Sequence, residues 1–150
     1  MSFQEKNITA SLANFALILA FYLVRLFQLA RGGNFEQGSV FRLWGIVVVL
    51  ATVGTIAIMI VTHIASNVIH TIQTRDERPL SDVQDERDQL IDLRGTTIAY
   101  RVLSIGVALS MLTLVLGQPP LVMFALLIFS GLVAQIVADI ARLYLYRRGF

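Results

Sequence analysis

Four apolar blocks, each about twenty residues long, decide what this sequence can fold into. A helix rises 1.5 Å per residue, so about twenty residues cross the ~30 Å hydrocarbon core of a bilayer. Lipid offers no partner for backbone N–H and C=O groups, and a chain of this kind satisfies them within helices. The blocks run over about 8–30, 43–69, 97–116 and 121–143. They predict one all-α domain over 1–150, an integral membrane four-helix bundle built of two transmembrane hairpins. Composition agrees: 56% of residues are apolar and 15% charged, well away from the roughly one-quarter charged make-up of soluble domains. Mean hydropathy is +0.72.

Punctuation between the blocks supports the division. Arg31-Gly32-Gly33 closes the first block and Gly117-Gln118-Pro119-Pro120 forms a tight turn before the fourth. Residues 1–6 lack the pattern of a signal peptide, so the first block reads as a retained span. Four spans place both termini and the 71–94 loop on one face. That face carries nine of the twelve Lys and Arg residues, and Arg25, Arg31 and Arg42 belong to the other. Basic residues near span ends stay in the cytoplasm. The expected topology has both termini and the 71–94 loop in the cytoplasm.

The 71–94 loop is the one sizeable polar segment. Asp-Glu-Arg occurs in it twice, at 76–78 and 85–87, with Pro79 between. Ser81-Asp82-Val83-Gln84 has capping-box spacing, which predicts a short cytoplasmic amphipathic helix from Asp82 into the third span, with Gly95 as a hinge. On that helix Asp85, Asp88 and Asp92 form one stripe, opposite Val83, Leu90 and Ile91. Arg87 and Arg94 have no acid three or four places away within the helix, so lipid phosphates or acids of another segment are their expected partners. The aspartate stripe reads as a solvated face.

Within the spans, polar residues are few and placed on faces. Gly131, Ala134, Gln135, Ala138, Asp139 and Arg142 share one side of the fourth span, where small residues permit close helix contact. An acid inside a membrane span is a functional-site hypothesis by default. Arg142 and Arg101 are the expected counter-charges of Asp139, making a buried polar cluster with Gln135. His63, Asn67 and His70 form a polar face at the end of the second span. Two histidines on one helix cannot bind opposite sides of one haem, and zinc would need further ligands from other segments. Interfacial histidines more often bond water or headgroups.

Several chemistries find no support. With no cysteine, disulfides and thiolate sites are excluded. There is no nucleophile paired with a base and no glycine-rich phosphate loop, so no enzyme activity is expected. The net acidic central loop argues against nucleic acid. A permeation path has no midplane polar group to serve it.

The stretch from Asp85 to Gly95, followed at once by an apolar span, resembles a group of small uncharacterised prokaryotic membrane proteins with a cytoplasmic D-E-R-x-x-x-I type motif before the third span. The resemblance covers the motif and the two-hairpin plan. It implies topology and a prokaryotic source, and no catalytic residues. The functional expectation is therefore an accessory or regulatory membrane subunit that binds partner proteins through its cytoplasmic loop and helix faces, without a cofactor. Its expected partners are the bilayer, other membrane proteins or further copies of itself. The alternatives are a small transporter or ligand-binding bundle centred on Asp139, and a pigment- or metal-binding subunit acting through His63 and His70.

Overall fold

The computed structural model describes residues 3–33, 35–73 and 86–148, with side chains for all of these except 3, 63 and 65–73. The described residues form four helices, α1 (Phe3–Arg31), α2 (Gln37–Gln73), α3 (Glu86–Val115) and α4 (Pro120–Arg148). Each contains a stretch long and apolar enough to cross a bilayer: Gln4–Arg31, Gln37–Thr62, Glu86–Val115 and Pro120–Arg148. This is a multi-pass membrane protein of two helical hairpins.

The helices overrun the apolar blocks: α2 begins at Gln37 rather than near Leu43, and α3 begins at Glu86, well ahead of its block at 97–116. Apolarity marks where lipid begins, whereas a helix continues as long as nothing stops its hydrogen-bond ladder. Glycine supplies the stops. At the end of α3, Gly117 adopts φ 77°. Its N–H donates to the Leu114 carbonyl at 3.0 Å and the Gln118 N–H donates to the Thr113 carbonyl at 2.9 Å, the two bonds of a Schellman cap. Pro120 then opens α4, where a missing N–H costs nothing. Gly33, at φ 69°, follows α1 in the same way.

Both tight turns lie at one end of the molecule, hereafter the hairpin end. Phe3, Gln73, Glu86 and Arg148 lie at the other, the terminal end. Around the molecule the order is α2, α1, α4, α3: α3 packs along α4, α4 along α1, and α1 along α2. α2 only grazes α4, and among the described residues it does not touch α3. The four helices therefore form an open arc instead of a closed ring.

Lipid tails are as apolar as leucine, so the arc is held by close packing and polar bonds. In the hairpin half, Ile18, Tyr22, Leu43, Val47 and Leu132 form the core. The Tyr22 hydroxyl donates to the Ala125 carbonyl at 2.7 Å, tying α1 to α4. Between α3 and α4, closeness comes from α3's glycines. A Cβ on Gly106 would stand 2.5 Å from the Ser130 Cβ, and one on Gly95 would stand 2.5 Å from the Arg142 Cγ.

This corrects two expectations. Gly95 is no hinge: α3 runs through it unbroken, and it is buried against α4. Gly131 is no packing residue either, since it is exposed with nothing within 4 Å of its missing Cβ. Ala134 and Ala138 of the same expected face are buried. The predicted start of the amphipathic helix at Asp82 falls outside the described residues.

Gly106→Leu is expected to force α3 from α4 and destabilise the fold by about 1–3 kcal/mol, as overpacking does. Gly131→Leu should leave stability unchanged. Thermal unfolding of both variants in the same detergent checks this, and equal midpoints would contradict the packing described.

Candidate functional site

At the terminal end α4 carries an ionic cluster built around one arginine. Asp139 lies about 28 Å along α4 from its start, at 1.5 Å per residue, and only 2% of it is exposed. Arg142, three residues on, donates from Nη1 to Asp139 Oδ1 at 3.0 Å. Its Nη2 reaches across to α3, 2.9 Å from Asp92 Oδ1 and 3.1 Å from Thr96 Oγ1. That crossing requires Gly95, because any side chain there would occupy the space of the Arg142 stem.

Two further groups complete the carboxylate's shell. Ser11 of α1 donates to Asp139 Oδ2 at 2.8 Å, and Gln135 donates to Oδ1 at 3.2 Å. One carboxylate thus joins α1 to α4, and one guanidinium joins α4 to α3. A buried carboxylate is tolerated only when paired and hydrogen-bonded in this way.

One turn nearer the end of the molecule, the Tyr146 hydroxyl donates to Asp88 Oδ1 at 2.8 Å. Arg87 Nη2 lies 3.5 Å from the Tyr146 carbonyl. A cleft of about 370 Å³ opens beside these groups, reaching Ser11, Asp92, Gln135, Asp139 and Arg142. Its α2 wall is made by Thr55, Ile58 and Met59. The acids Asp88, Asp92 and Asp139 outnumber the one basic group that lines it, Arg142. Asn14, one turn from Ser11, packs against Gly54 of α2, and its amide nitrogen has no hydrogen-bond partner among the described residues.

The structure thus brings together Gln135, Asp139 and Arg142 but leaves out Arg101. Arg101 is exposed, on a side of α3 turned away from Asp139, whose partners are Ser11, Gln135 and Arg142. The expected counter-charge at that position is incorrect. Asp88 and Asp92 also depart from expectation: they bond to Tyr146 and Arg142 of α4, although Asp92 remains 63% exposed. The stripe is an interhelical seam at these positions, and Asp85 lies outside the described residues. Arg94 has an interaction of its own. The backbone of α2 includes His63, Asn67 and His70, whose side chains lie outside the described residues.

Thr96 and Tyr146 escaped sequence reasoning, yet a signal for them existed. Counting back equally from the turn at 116–119 sets Arg142 level with residues 92–96 and Tyr146 level with residue 88–90. Among the described residues, no group of three histidine, aspartate or glutamate side chains is arranged to hold a metal ion.

No protein-family model matches this chain, and no curated protein or solved structure is significantly similar to it.

Arg142→Met is expected to leave Asp139 as a buried charge without its counter-ion and to destabilise the fold by about 3–5 kcal/mol. Asp139→Asn should cost less, because an amide keeps bonds to Ser11 and Gln135 while Arg142 keeps Asp92. Denaturant titration in mixed micelles, arranged as a double-mutant cycle, measures both values. Additive losses would show that the two side chains do not interact.

Proposed function

We propose that this protein is an accessory or regulatory membrane subunit that receives a partner's transmembrane helix along its open α2/α3 side. The observation that carries this reading is that α2 and α3 make no contact among the described residues. The arc leaves Asp92, Arg142 and Asp139 in a cleft with a gap in its wall. Beside that gap α2 presents exposed Ile56, Met59 and Ile60. A helix laid across the gap would cover polar groups that lipid tails solvate poorly and would add the packing that holds membrane helices together. The partner is a helix of another membrane protein or of a second copy of this chain.

The proposal carries an orientation. Read from the sequence, nine of the twelve Lys and Arg residues fall on the side of the termini and the 71–94 loop, which turns that side to the cytoplasm; the resemblance to small prokaryotic proteins makes the membrane a prokaryotic inner membrane. The 71–94 loop, read from the sequence as cytoplasmic, belongs to the same proposal as a binding segment. Kinship with the small D-E-R-x-x-x-I membrane proteins belongs to this proposal and rests on the motif alone.

The chain has no cysteine, so a single introduced thiol reports one position. Met59→Cys, beside the gap and labelled with a thiol-reactive photo-crosslinker that inserts into neighbouring C–H bonds, should cross-link in native membranes to one stoichiometric partner. Leu17→Cys, 72% exposed on α1, should not. Recovery of the Met59→Cys chain alone would end the proposal.

A second reading is favoured by the cleft itself. Its acid-rich lining suits a small cationic solute or a proton, with Asp139 as the anchoring carboxylate. Asp139→Asn would then abolish binding or flux of such a solute in proteoliposomes. An unchanged signal removes this reading and leaves the partner-binding one standing.

A further inference from the structure

The hairpin end has a cleft of its own, of about 500 Å³, between α1 and α2. Its lining is graded by depth. On α1, Gln28, Arg25 and Phe21 follow one another inward from the hairpin end at spacings of three and four residues, and so share a helix face. On α2, Ser39, Arg42 and Ile46 do the same in the opposite chain direction. The two helices thus present matching tiers: amide and hydroxyl outermost, two guanidinium groups next, then an apolar pair toward the bilayer centre.

Helix rise fixes the depth of the middle tier. Arg25 lies six residues before the end of α1, about 9 Å in, and Arg42 lies five residues into α2, about 8 Å in. An aromatic cluster marks the same level on the adjoining side. Phe41 stacks on Phe124 with ring centroids 4.9 Å apart, and Trp44 tilts against Phe124 at 6.2 Å. Tryptophan and its aromatic neighbours collect where hydrocarbon meets headgroups. The guanidinium pair therefore sits at the boundary, within reach of the phosphate layer.

Charge narrows the occupant. No carboxylate lines the cleft. Arg25 donates from Nη1 to the Gln28 side-chain oxygen at 3.3 Å and lies 5.7 Å from the Phe21 ring centre. Neither contact neutralises it, and among the described residues no acid pairs with Arg25 or Arg42. Two unneutralised guanidinium groups beside hydrocarbon call for an anion, and guanidinium binds phosphate through paired N–H groups.

We propose that the α1/α2 cleft at the hairpin end binds one anionic phospholipid, its phosphate held between Arg25 and Arg42. The acyl chains run inward over Phe21 and Ile46. Gln28 and Ser39 meet the outer headgroup, which suits hydroxyls such as those of a glycerol headgroup. An ammonium headgroup finds no carboxylate there. This site is at the opposite end from the Asp139 cluster and does not rest on partner binding.

Native mass spectrometry of the full, delipidated chain in detergent tests the assignment, with phosphatidylglycerol, phosphatidylcholine and inorganic phosphate as separate probes. Phosphatidylglycerol should remain bound at one equivalent, at least fivefold more tightly than phosphatidylcholine. Arg25→Gln and Arg42→Gln should each weaken it about fivefold, from ~1 kcal/mol per basic group near a membrane surface. Arg42→Lys should recover part of the binding that Arg42→Gln loses, since it restores the charge without the paired N–H donors, which separates lost charge from lost fold. Arg31→Gln is the control, because Arg31 stacks on Phe27 at 4.2 Å and does not line the cleft. Equal binding of the two lipids, an effect of Arg31→Gln as large as that of Arg25→Gln, or unaffected glutamine variants would each overturn the proposal. Displacement of the lipid by equimolar inorganic phosphate would also overturn it, by revealing a free-anion site.

Discussion

The terminal half of this molecule depends on Arg142. Its guanidinium bonds to Asp139 on its own helix and to Asp92 and Thr96 on α3. Through the Asp139 carboxylate it is coupled to Ser11 on α1. Three helices meet at one ion pair in surroundings where neither charge is stable alone. The pair also dictates sequence elsewhere: the Arg142 stem fills the space a side chain at position 95 would need, so that position is glycine.

From that cluster outward, the helices are joined in different ways. α1, α4 and α3 are linked by interhelical bonds from Ser11, Tyr22, Arg142 and Tyr146. On α2, Thr55 and Thr62 direct their hydroxyls to carbonyls of their own helix, each at 2.7 Å. α2 is held against α1 by packing around Leu43 and Val47. In lipid, helices are joined by close packing and by interhelical hydrogen bonds, and among the described residues α2 shows only the first. It is also a helix that borders the open side of the arc. The proposed partner surface follows from this difference in bonding.

The two ends present opposite chemistries. At the terminal end, acids outnumber the one arginine in the cleft and are bonded across helices. At the hairpin end, two arginines, one from α1 and one from α2, line a single cleft that has no acid in its lining. Both clefts lie near the ends of the spans, where headgroups and water lower the cost of charge. The core between them is made of aliphatic and aromatic side chains, with Tyr22 satisfied by a backbone carbonyl.

Membrane insertion, the number of helices and the hairpin plan were determined by the sequence alone, because apolar length and glycine-proline punctuation are local properties. Asp139, Gln135 and Arg142 were legible as one face for the same reason: residues three and four apart share a side of any helix. Partner choice across helices was not legible. Arg101 and Arg142 are equally basic, and only the rotation of α3 about its axis turns one outward while Gly95 admits the other. Gly131 and Gly106 are alike in sequence, yet the register of α3 on α4 gives the close approach to Gly106. That Arg25 and Arg42 line one cleft follows likewise from the antiparallel register of α1 and α2. Tertiary structure decided these points because a one-dimensional pattern defines the faces of a helix, and packing selects which face each neighbour sees.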